Sequence, residues 1–243
     1  MPEFDNSPKP PFLSRLVPFD SAPERKTGSL FLLGTDSERV VRKLEPDTLF
    51  TPGKLFNAAE KTKILAAELQ SAYGIHTASY DIELDLPEVF IVTDRIHGHT
   101  IDEDIPASTL KENVPIFDSF YKSLTAYIGD RFEKGGDMLL DIEPQQFMFG
   151  HTKKDPENRI YWVDLEPLTT TLTPLGGNEE QKDKIYNNFF AIYLSIKNTE
   201  LKTSETLKNA REELLKRVRM VPPSSGYYEE SILPILKDLQ KAA

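Results

Sequence analysis

Carboxylates are the residues of this chain best suited to chemistry at a phosphate or a metal ion. The sequence contains no Cys, and its four His do not form the H-E-x-x-H spacing of a metalloenzyme. Any metal ion must therefore sit on oxygen ligands. Asp141 and Asp164 lie on either side of a predicted strand pair. Each of them alone equally fits a turn-capping role, which is common for Asp, but their joint position favours a shared functional site.

The composition excludes several classes of protein. The chain has 243 residues, 39% of them hydrophobic, and a formal net charge of −10. Binding to nucleic acid needs clustered Lys and Arg, so the acidic balance argues against nucleic acid as a partner. No apolar run approaches the roughly 20 residues of a membrane span, and the polar, proline-rich start lacks the apolar core of a secretory signal. We expect a cytoplasmic protein that does not bind membranes.

Short strands and one helix are predicted to position these carboxylates from the N-terminal side. Residues 1–11 carry four prolines and predict a mobile tail. Gly74 is placed to end the helix, and a turn at Gly34 joins the first hairpin. The predicted strands are 12–19, 28–33, 38–44, 79–84 and 89–96, and the helix is 55–73. Together they predict a five-stranded antiparallel sheet with one helix.

The second half of the chain has a mainly helical pattern. A long amphipathic helix is predicted at 114–132, followed by two short strands at 146–149 and 160–164. Three further helices are predicted at 178–197, 204–218 and 228–241. The whole is an α+β arrangement with a cleft between two lobes, the first at 12–97 and the second at 98–243.

The segments around the two aspartates resemble the catalytic loop and the metal-binding turn of the protein kinase-like superfamily. They are Asp141-Ile-Glu-Pro-Gln-Gln-Phe-Met-Phe149 and Ile160-Tyr-Trp-Val-Asp-Leu165. The resemblance implies a bilobal kinase-like fold with a five-stranded first lobe and a reduced helical second lobe. It implies that Asp141 orients or deprotonates an acceptor hydroxyl, and that Gln146 and Asp164 hold Mg²⁺ beside the phosphates of ATP.

The resemblance extends upstream. Residues 90–101 are similar to the last strand of the first lobe, the hinge and the glycine after it, and Val40-Val-Arg-Lys43 resembles the strand of the phosphate-anchoring lysine. It implies that Lys43 anchors the phosphates and is held by Glu60, seventeen residues later, with Glu68 as the alternative partner. The remaining nucleotide contacts that it implies are Val41, Thr93, Asp94, Ile96 and Met148. Apolar residues among these equally fit a core, and the sequence does not separate the two.

Several positions depart from the superfamily pattern. The segment 20–27 has no glycine where a glycine-rich phosphate loop is expected. Gln146 replaces an asparagine, and Glu143 stands where protein kinases have a lysine that touches the transferred phosphate. A carboxylate at that place repels phosphates at close range. These departures favour a pseudokinase.

Two functions therefore follow from the resemblance. The first is an ATP- and Mg²⁺-dependent phosphotransferase acting on an unidentified hydroxyl of a small-molecule or protein acceptor, similar to aminoglycoside phosphotransferases or atypical small kinases. The alternative is a pseudokinase, a nucleotide-binding or scaffold module without catalysis. A helical-plus-sheet domain unrelated to kinases is a third interpretation, which requires the ordered motifs to be coincidental. The sequence names neither the acceptor nor the oligomeric state.

Overall fold

The computed structural model describes residues 11–19, 30–44, 51–101, 105–139, 142, 144–165 and 171–172. The predicted tail up to residue 10 and the three helices predicted at 178–197, 204–218 and 228–241 lie outside the described residues. So does Asp141, the predicted catalytic residue. In the described part of the chain, no helix is long and apolar enough to cross a membrane.

The described residues form strands, α-helices and short 3-10 or π-helical turns. The strands are β1 (Leu16–Pro18), β2 (Leu30–Leu33), β3 (Asp36–Leu44), β4 (His76–Thr77), β5 (Asp81–Asp85), β6 (Glu88–Asp94), β7 (His97–Thr100), β8 (Gly136–Asp137), β9 (Phe147–His151), β10 (Arg159–Trp162) and β11 (Thr171–Leu172). The α-helices are α1 (Pro52–Glu68), α2 (Ala107–Glu112) and α3 (Val114–Lys134). The 3-10 helices are Phe12–Arg15 and Pro144–Gln146, and a π-helical turn covers Leu69–Tyr73.

The first sheet has five antiparallel strands in the order β1-β2-β3-β6-β5, as the sequence predicts. The turn between β2 and β3 lies at Gly34 and Thr35. A Cβ on Gly34 would lie 2.9 Å from the backbone oxygen of Arg15, so this glycine lets the turn pass close to the neighbouring chain. The start of the predicted strand 12–19 is instead a 3-10 helix, and only its second half pairs with β2.

Helix α1 lies where the sequence predicts it. Pro52 occupies its first turn, where the missing N–H costs no helical hydrogen bond. The apolar residues recur at helical spacing and are buried: Leu55, Ala58, Ala59, Leu65, Ala66 and, in the following π turn, Leu69. Gly74 takes a left-handed conformation with φ of 70° and ends the helical segment.

The second sheet has four strands in the order β4-β10-β9-β7. The predicted strand pair is the antiparallel hairpin β9-β10, and β4 pairs with β10 in parallel. Because β4 and β7 precede α3 in the chain, this sheet joins residues from both predicted lobes. Gly98 on β7 lies opposite Gly150 on β9. A Cβ on Gly98 would lie 2.0 Å from the oxygen of Phe149, so only glycine permits this approach of the two strands.

One apolar core connects the two sheets with α1 and α3. It contains residues of α1, β6, α3, β9 and β10, and its largest member is Trp162, which is fully buried at the end of β10. Phe147 packs on Trp162 with the ring centroids 5.0 Å apart, and Phe117 of α3 packs on Phe149 at 5.2 Å. Aromatic pairs of this kind add to the burial energy. The core therefore fixes the β9-β10 hairpin, and with it the position of Asp164, relative to α3.

Replacing Gly98 tests the close approach of β7 and β9. We expect Gly98→Ala to lower the free energy of unfolding by about 1–3 kcal/mol or more, because backbone atoms must move to admit the methyl group. Gly53→Ala is the matched control, since nothing lies within 4 Å of its Cβ position and alanine favours helix by up to about 1 kcal/mol. Urea denaturation of both variants measures the difference. Equal stability of the two variants would contradict the tight strand contact.

Candidate functional site

A cavity of about 280 Å³ lies between the two sheets. Apolar side chains from both sides form most of its wall: Leu30, Val40, Ile91, Met148, Val163 and Leu165. The charged lining residues are Arg42, Asp94, Arg95 and Asp164. The cavity thus combines an apolar slot with a few charged groups, which is the usual composition of a small-molecule site.

Strand alternation in β3 decides which side chains face the cavity. Val40 and Arg42 line it, opposite Thr93 and Ile91 of β6. Val41 is fully buried on the other side of the sheet, in a cluster with Phe90. Neighbouring residues of a strand point to opposite faces, so the structure places Val41 on the face of β3 away from the cavity. Its predicted contact with a nucleotide is not supported by this placement.

Lys43 lies on the same face of β3 as Val41, and that face is not the cavity side. Its ammonium forms an ion pair with Glu88 at the start of β6. The predicted pair between Lys43 and Glu60 is therefore not formed. Glu68, the alternative partner, pairs with Arg131 of α3 at 2.6 Å. In the structure the carboxylate of Glu68 ties α1 to α3 instead of reaching the phosphate-anchoring strand.

Arg42 supplies the cation at the inner end of the cavity. Its Nη1 donates to Oδ1 of Asp164 at 2.6 Å, and the two side chains are 11% and 14% exposed. A short contact between two largely buried charged groups is much less screened by water and salt than a surface pair. The metal-binding carboxylate expected from the sequence is thus paired with a guanidinium.

The hinge residues lie where the sequence predicts them. Thr93, Asp94 and Ile96 all line the cavity, and Met148 faces them from β9. The structure brings these four together. Their role in binding a nucleotide stays a prediction.

The carboxylate of Asp94 is held by two cations. Its Oδ1 accepts from Arg39 at 3.3 Å and from Lys154 at 2.9 Å, and its backbone N–H donates to the hydroxyl of Ser79 at 2.9 Å. Burial by itself raises the pKa of Asp94, but hydrogen bonds from Lys154 and Ser79 and the charges of Lys154 and Arg39 lower it below the ordinary value overall. The negative charge of Asp94 at the cavity wall is therefore balanced by the neighbouring cations Arg39 and Lys154.

The two predicted magnesium ligands have different surroundings. Gln146 is 7% exposed, and its backbone oxygen accepts from Val163 at 2.9 Å, whereas its neighbour Gln145 lines the cavity. Asp164 is bound by Arg42. Among the residues that the structure describes, no group of three or more His, Asp or Glu is placed to hold a metal ion. The role of Gln146 and Asp164 as metal ligands stays a prediction.

Sequence analysis did not assign functional roles to three of these cations. Arg42 lines the cavity, Lys154 reaches Asp94 from the β9-β10 connection, and Arg95 lies over the ring of Phe19 at 5.1 Å. The alternation of apolar residues in β3 predicts that Arg42 and Lys43 face opposite sides. It does not say which side faces the cavity, and the other two contacts depend on segments distant in sequence.

Comparison with known proteins gives distant structural neighbours. No family model matches the chain, and no curated protein matches it. Its structure is similar to the PknI kinase domain of Mycobacterium tuberculosis, at 13% sequence identity over 74% of this chain and 73% of that chain, with a TM-score of 0.42. A double mutant of that kinase domain gives 12% identity over 86% of each chain and a TM-score of 0.45. At these values the likeness carries no argument about activity.

Acidification tests the charge network at Asp94. Because the folded-state pKa of Asp94 is lowered, its contribution to stability is present above the unfolded pKa and is lost as pH falls through the folded value. We expect Asp94→Asn to be less stable than wild type at about pH 7, by on the order of 1 kcal/mol, and the gap to narrow as pH falls below about 4 and to close only below the folded-state pKa. Urea denaturation across this pH range measures it.

Lys154→Met, which removes one of the two cations, is the control for this experiment. It should reproduce a smaller part of the same pH dependence, since the Lys154 side chain is 67% exposed and its pair is screened. A stability gap between Asp94→Asn and wild type that does not change with pH would contradict the lowered pKa.

Proposed function

We propose that this chain is a kinase-like protein that binds a nucleotide in the cavity between its two sheets. The observation that carries the proposal is a mainly apolar cavity whose wall includes the largely buried Arg42. Its volume of about 280 Å³ lies close to the lower end of the range of ligand sites, roughly 300–1,000 Å³. A nucleotide would place its flat base against the apolar residues of the wall and direct its phosphates to Arg42.

The slot offers a flat base two apolar surfaces. Val40 and Ile91 come from the first sheet, and Met148 comes from the second. The thioether of Met148 is flexible and polarisable, and it makes favourable contacts with aromatic rings. The segment 93–96 contributes Thr93, Asp94, Arg95 and Ile96 to the cavity wall beside these surfaces.

The acidic residues of the cavity wall are paired with cations. Asp94 is paired with Arg39 and Lys154, and Asp164 is paired with Arg42. Arg39 also pairs with Asp81 at 2.7 Å. Among the charged lining residues, Arg42 and Arg95 balance Asp94 and Asp164. An anionic ligand therefore meets acidic side chains that are compensated by cations, within a chain whose net charge is −10.

Nucleotide binding without catalysis is the version that we put first. The pairing of Asp164 with Arg42 at 2.6 Å supports it, because a magnesium ion at Asp164 would have to displace the guanidinium. Gln146, the other predicted ligand, is buried. The ligand would be ATP or a related nucleotide.

ATP- and Mg²⁺-dependent phosphotransfer to a hydroxyl acceptor is the second candidate. One observation favours it: Asp164 follows β10 closely and faces the cavity, as a carboxylate acting on a phosphate must. Magnesium, when bound, would neutralise the charge of the phosphates. Asp141 is the residue that would take the proton of the acceptor in this version.

A thermal-shift titration with ATP tests the proposal. Ligand binding to the native state raises the melting temperature, so ATP should raise that of wild type. Lys43→Met and Arg42→Met form a matched pair, because the two residues are adjacent on β3 but face opposite sides of the sheet. We expect Lys43→Met to keep the ATP-induced shift and Arg42→Met to lose most of it.

Two outcomes would contradict this assignment. An equal ATP shift in Arg42→Met and wild type would remove Arg42 from the site, and a loss of the shift in Lys43→Met alone would restore Lys43 as the anchor. Release of ADP from ATP separates the two versions of the function. Release that requires both Mg²⁺ and Asp141, tested by Asp141→Asn, supports the phosphotransferase, and none supports the binding module.

A further inference from the structure

The ion pair between Arg42 and Asp164 controls how charge is distributed at the inner end of the cavity. Oδ1 of Asp164 accepts from Nη1 of Arg42 at 2.6 Å, and both side chains are close to nine-tenths buried. The two residues are 122 positions apart in the sequence, on β3 and just after β10. The pair therefore exists only because the two sheets meet here.

A divalent ion at Asp164 would meet a cation already in place. The guanidinium lies within hydrogen-bond distance of the carboxylate that the metal needs, and repulsion between the two positive charges is strong where water is largely excluded. The second expected ligand, Gln146, is buried immediately before the strand that carries Met148. Metal binding would require Arg42 to leave.

A guanidinium can take over the role that the metal plays for phosphate. It carries five N–H donors in a planar fork, remains charged at any physiological pH, and binds carboxylate and phosphate through the same paired geometry. Arg42 lines the cavity while it holds Asp164, so its donors lie at the cavity wall. Charge-assisted hydrogen bonds of this kind are about twice as strong as neutral ones.

We propose that the cavity binds its nucleotide without a divalent metal ion, and that Arg42 holds the phosphates directly while Asp164 competes with them for the same guanidinium. This inference rests on the proposed nucleotide-binding function and specifies its ligand as a metal-free nucleotide. Asp164 acts here as a positioning residue that keeps Arg42 at the cavity wall when no ligand is bound.

The proposed competition predicts a specific effect of Asp164→Asn on nucleotide affinity. If Asp164 were a metal ligand, Asp164→Asn would weaken nucleotide binding and remove any benefit from Mg²⁺. If Asp164 competes for Arg42, removing its negative charge frees the guanidinium and takes an anion away from the phosphates. Asp164→Asn then strengthens binding. The two roles therefore predict opposite changes in nucleotide affinity for Asp164→Asn, which keeps the shape of the side chain.

The experiment is isothermal titration calorimetry of the full chain with ADP, once in EDTA and once in excess Mg²⁺. We expect binding in EDTA to be at least as tight as in Mg²⁺. In EDTA, Arg42→Met should bind about tenfold more weakly or worse, the loss of a charge-assisted contact, and Asp164→Asn should bind more tightly than wild type. Lys43→Met should match wild type, since its ammonium pairs with Glu88 on the opposite face.

Arg42→Lys separates charge from geometry. A lysine keeps the positive charge but loses the fork, so its affinity for ADP should fall between those of wild type and Arg42→Met. The melting temperature of each variant without ligand shows that it is folded. The comparison of EDTA with Mg²⁺ needs wild type only, so the inference remains testable if a variant does not fold.

The outcomes distinguish this inference from the proposed function. ADP binding that appears only with Mg²⁺, or a clear loss of affinity in folded Asp164→Asn in EDTA, would overturn metal-free recognition and leave nucleotide binding intact. No heat of binding under either condition, with no thermal shift, would overturn both. Equal or tighter binding in EDTA together with tighter binding by Asp164→Asn would establish the inference.

Discussion

The contact between Arg42 and Asp164 is the interaction on which the candidate site depends. It joins the first sheet to the segment after the β9-β10 hairpin at 2.6 Å, in a place where both side chains are largely removed from water. Removing one partner of such a pair leaves an uncompensated buried charge, which costs far more than the pair contributes. The pair therefore joins the two walls of the cavity. It also places an arginine that is balanced by a carboxylate at the cavity wall.

The rest of the structure supports the two ends of this contact separately. Trp162 and Phe147 lock the hairpin into the apolar core, so Asp164 extends from a rigid base. Helix α1 packs under the first sheet through its apolar face, and Glu68 ties its end to Arg131 of α3. In the kinase-like interpretation a glutamate of this helix holds the phosphate-anchoring cation. In the structure Arg42 at the cavity wall pairs with Asp164, and Glu68 at the end of this helix pairs with Arg131.

A second group of charged residues lies around the segment 93–96, and its members are also paired. Asp94 accepts from Arg39 and Lys154, and Glu38 accepts from Nε2 of His97 at 2.7 Å, which lowers the pKa of Glu38. These contacts connect β3, β6 and the β9-β10 connection across the edge of the cavity. Because the acidic residues there are compensated, an anionic ligand meets no unbalanced negative charge among them. The acidic residues of the cavity wall are thus paired with cations, although the chain as a whole is acidic.

The sequence by itself determined the elements with strong periodicity or clear punctuation. The bounds of α1 and α3 follow from apolar spacing and from Gly74, and the five-stranded sheet follows from alternating strands joined at Gly34. Sequence alternation also placed Val41 and Lys43 on one face. Alternation does not show which face of β3 lines the cavity, because it separates the two faces of a strand without indicating what packs on each. Only the tertiary structure decided that, since Arg42 pairs with Asp164, 122 residues further along the chain, where the two sheets pack together.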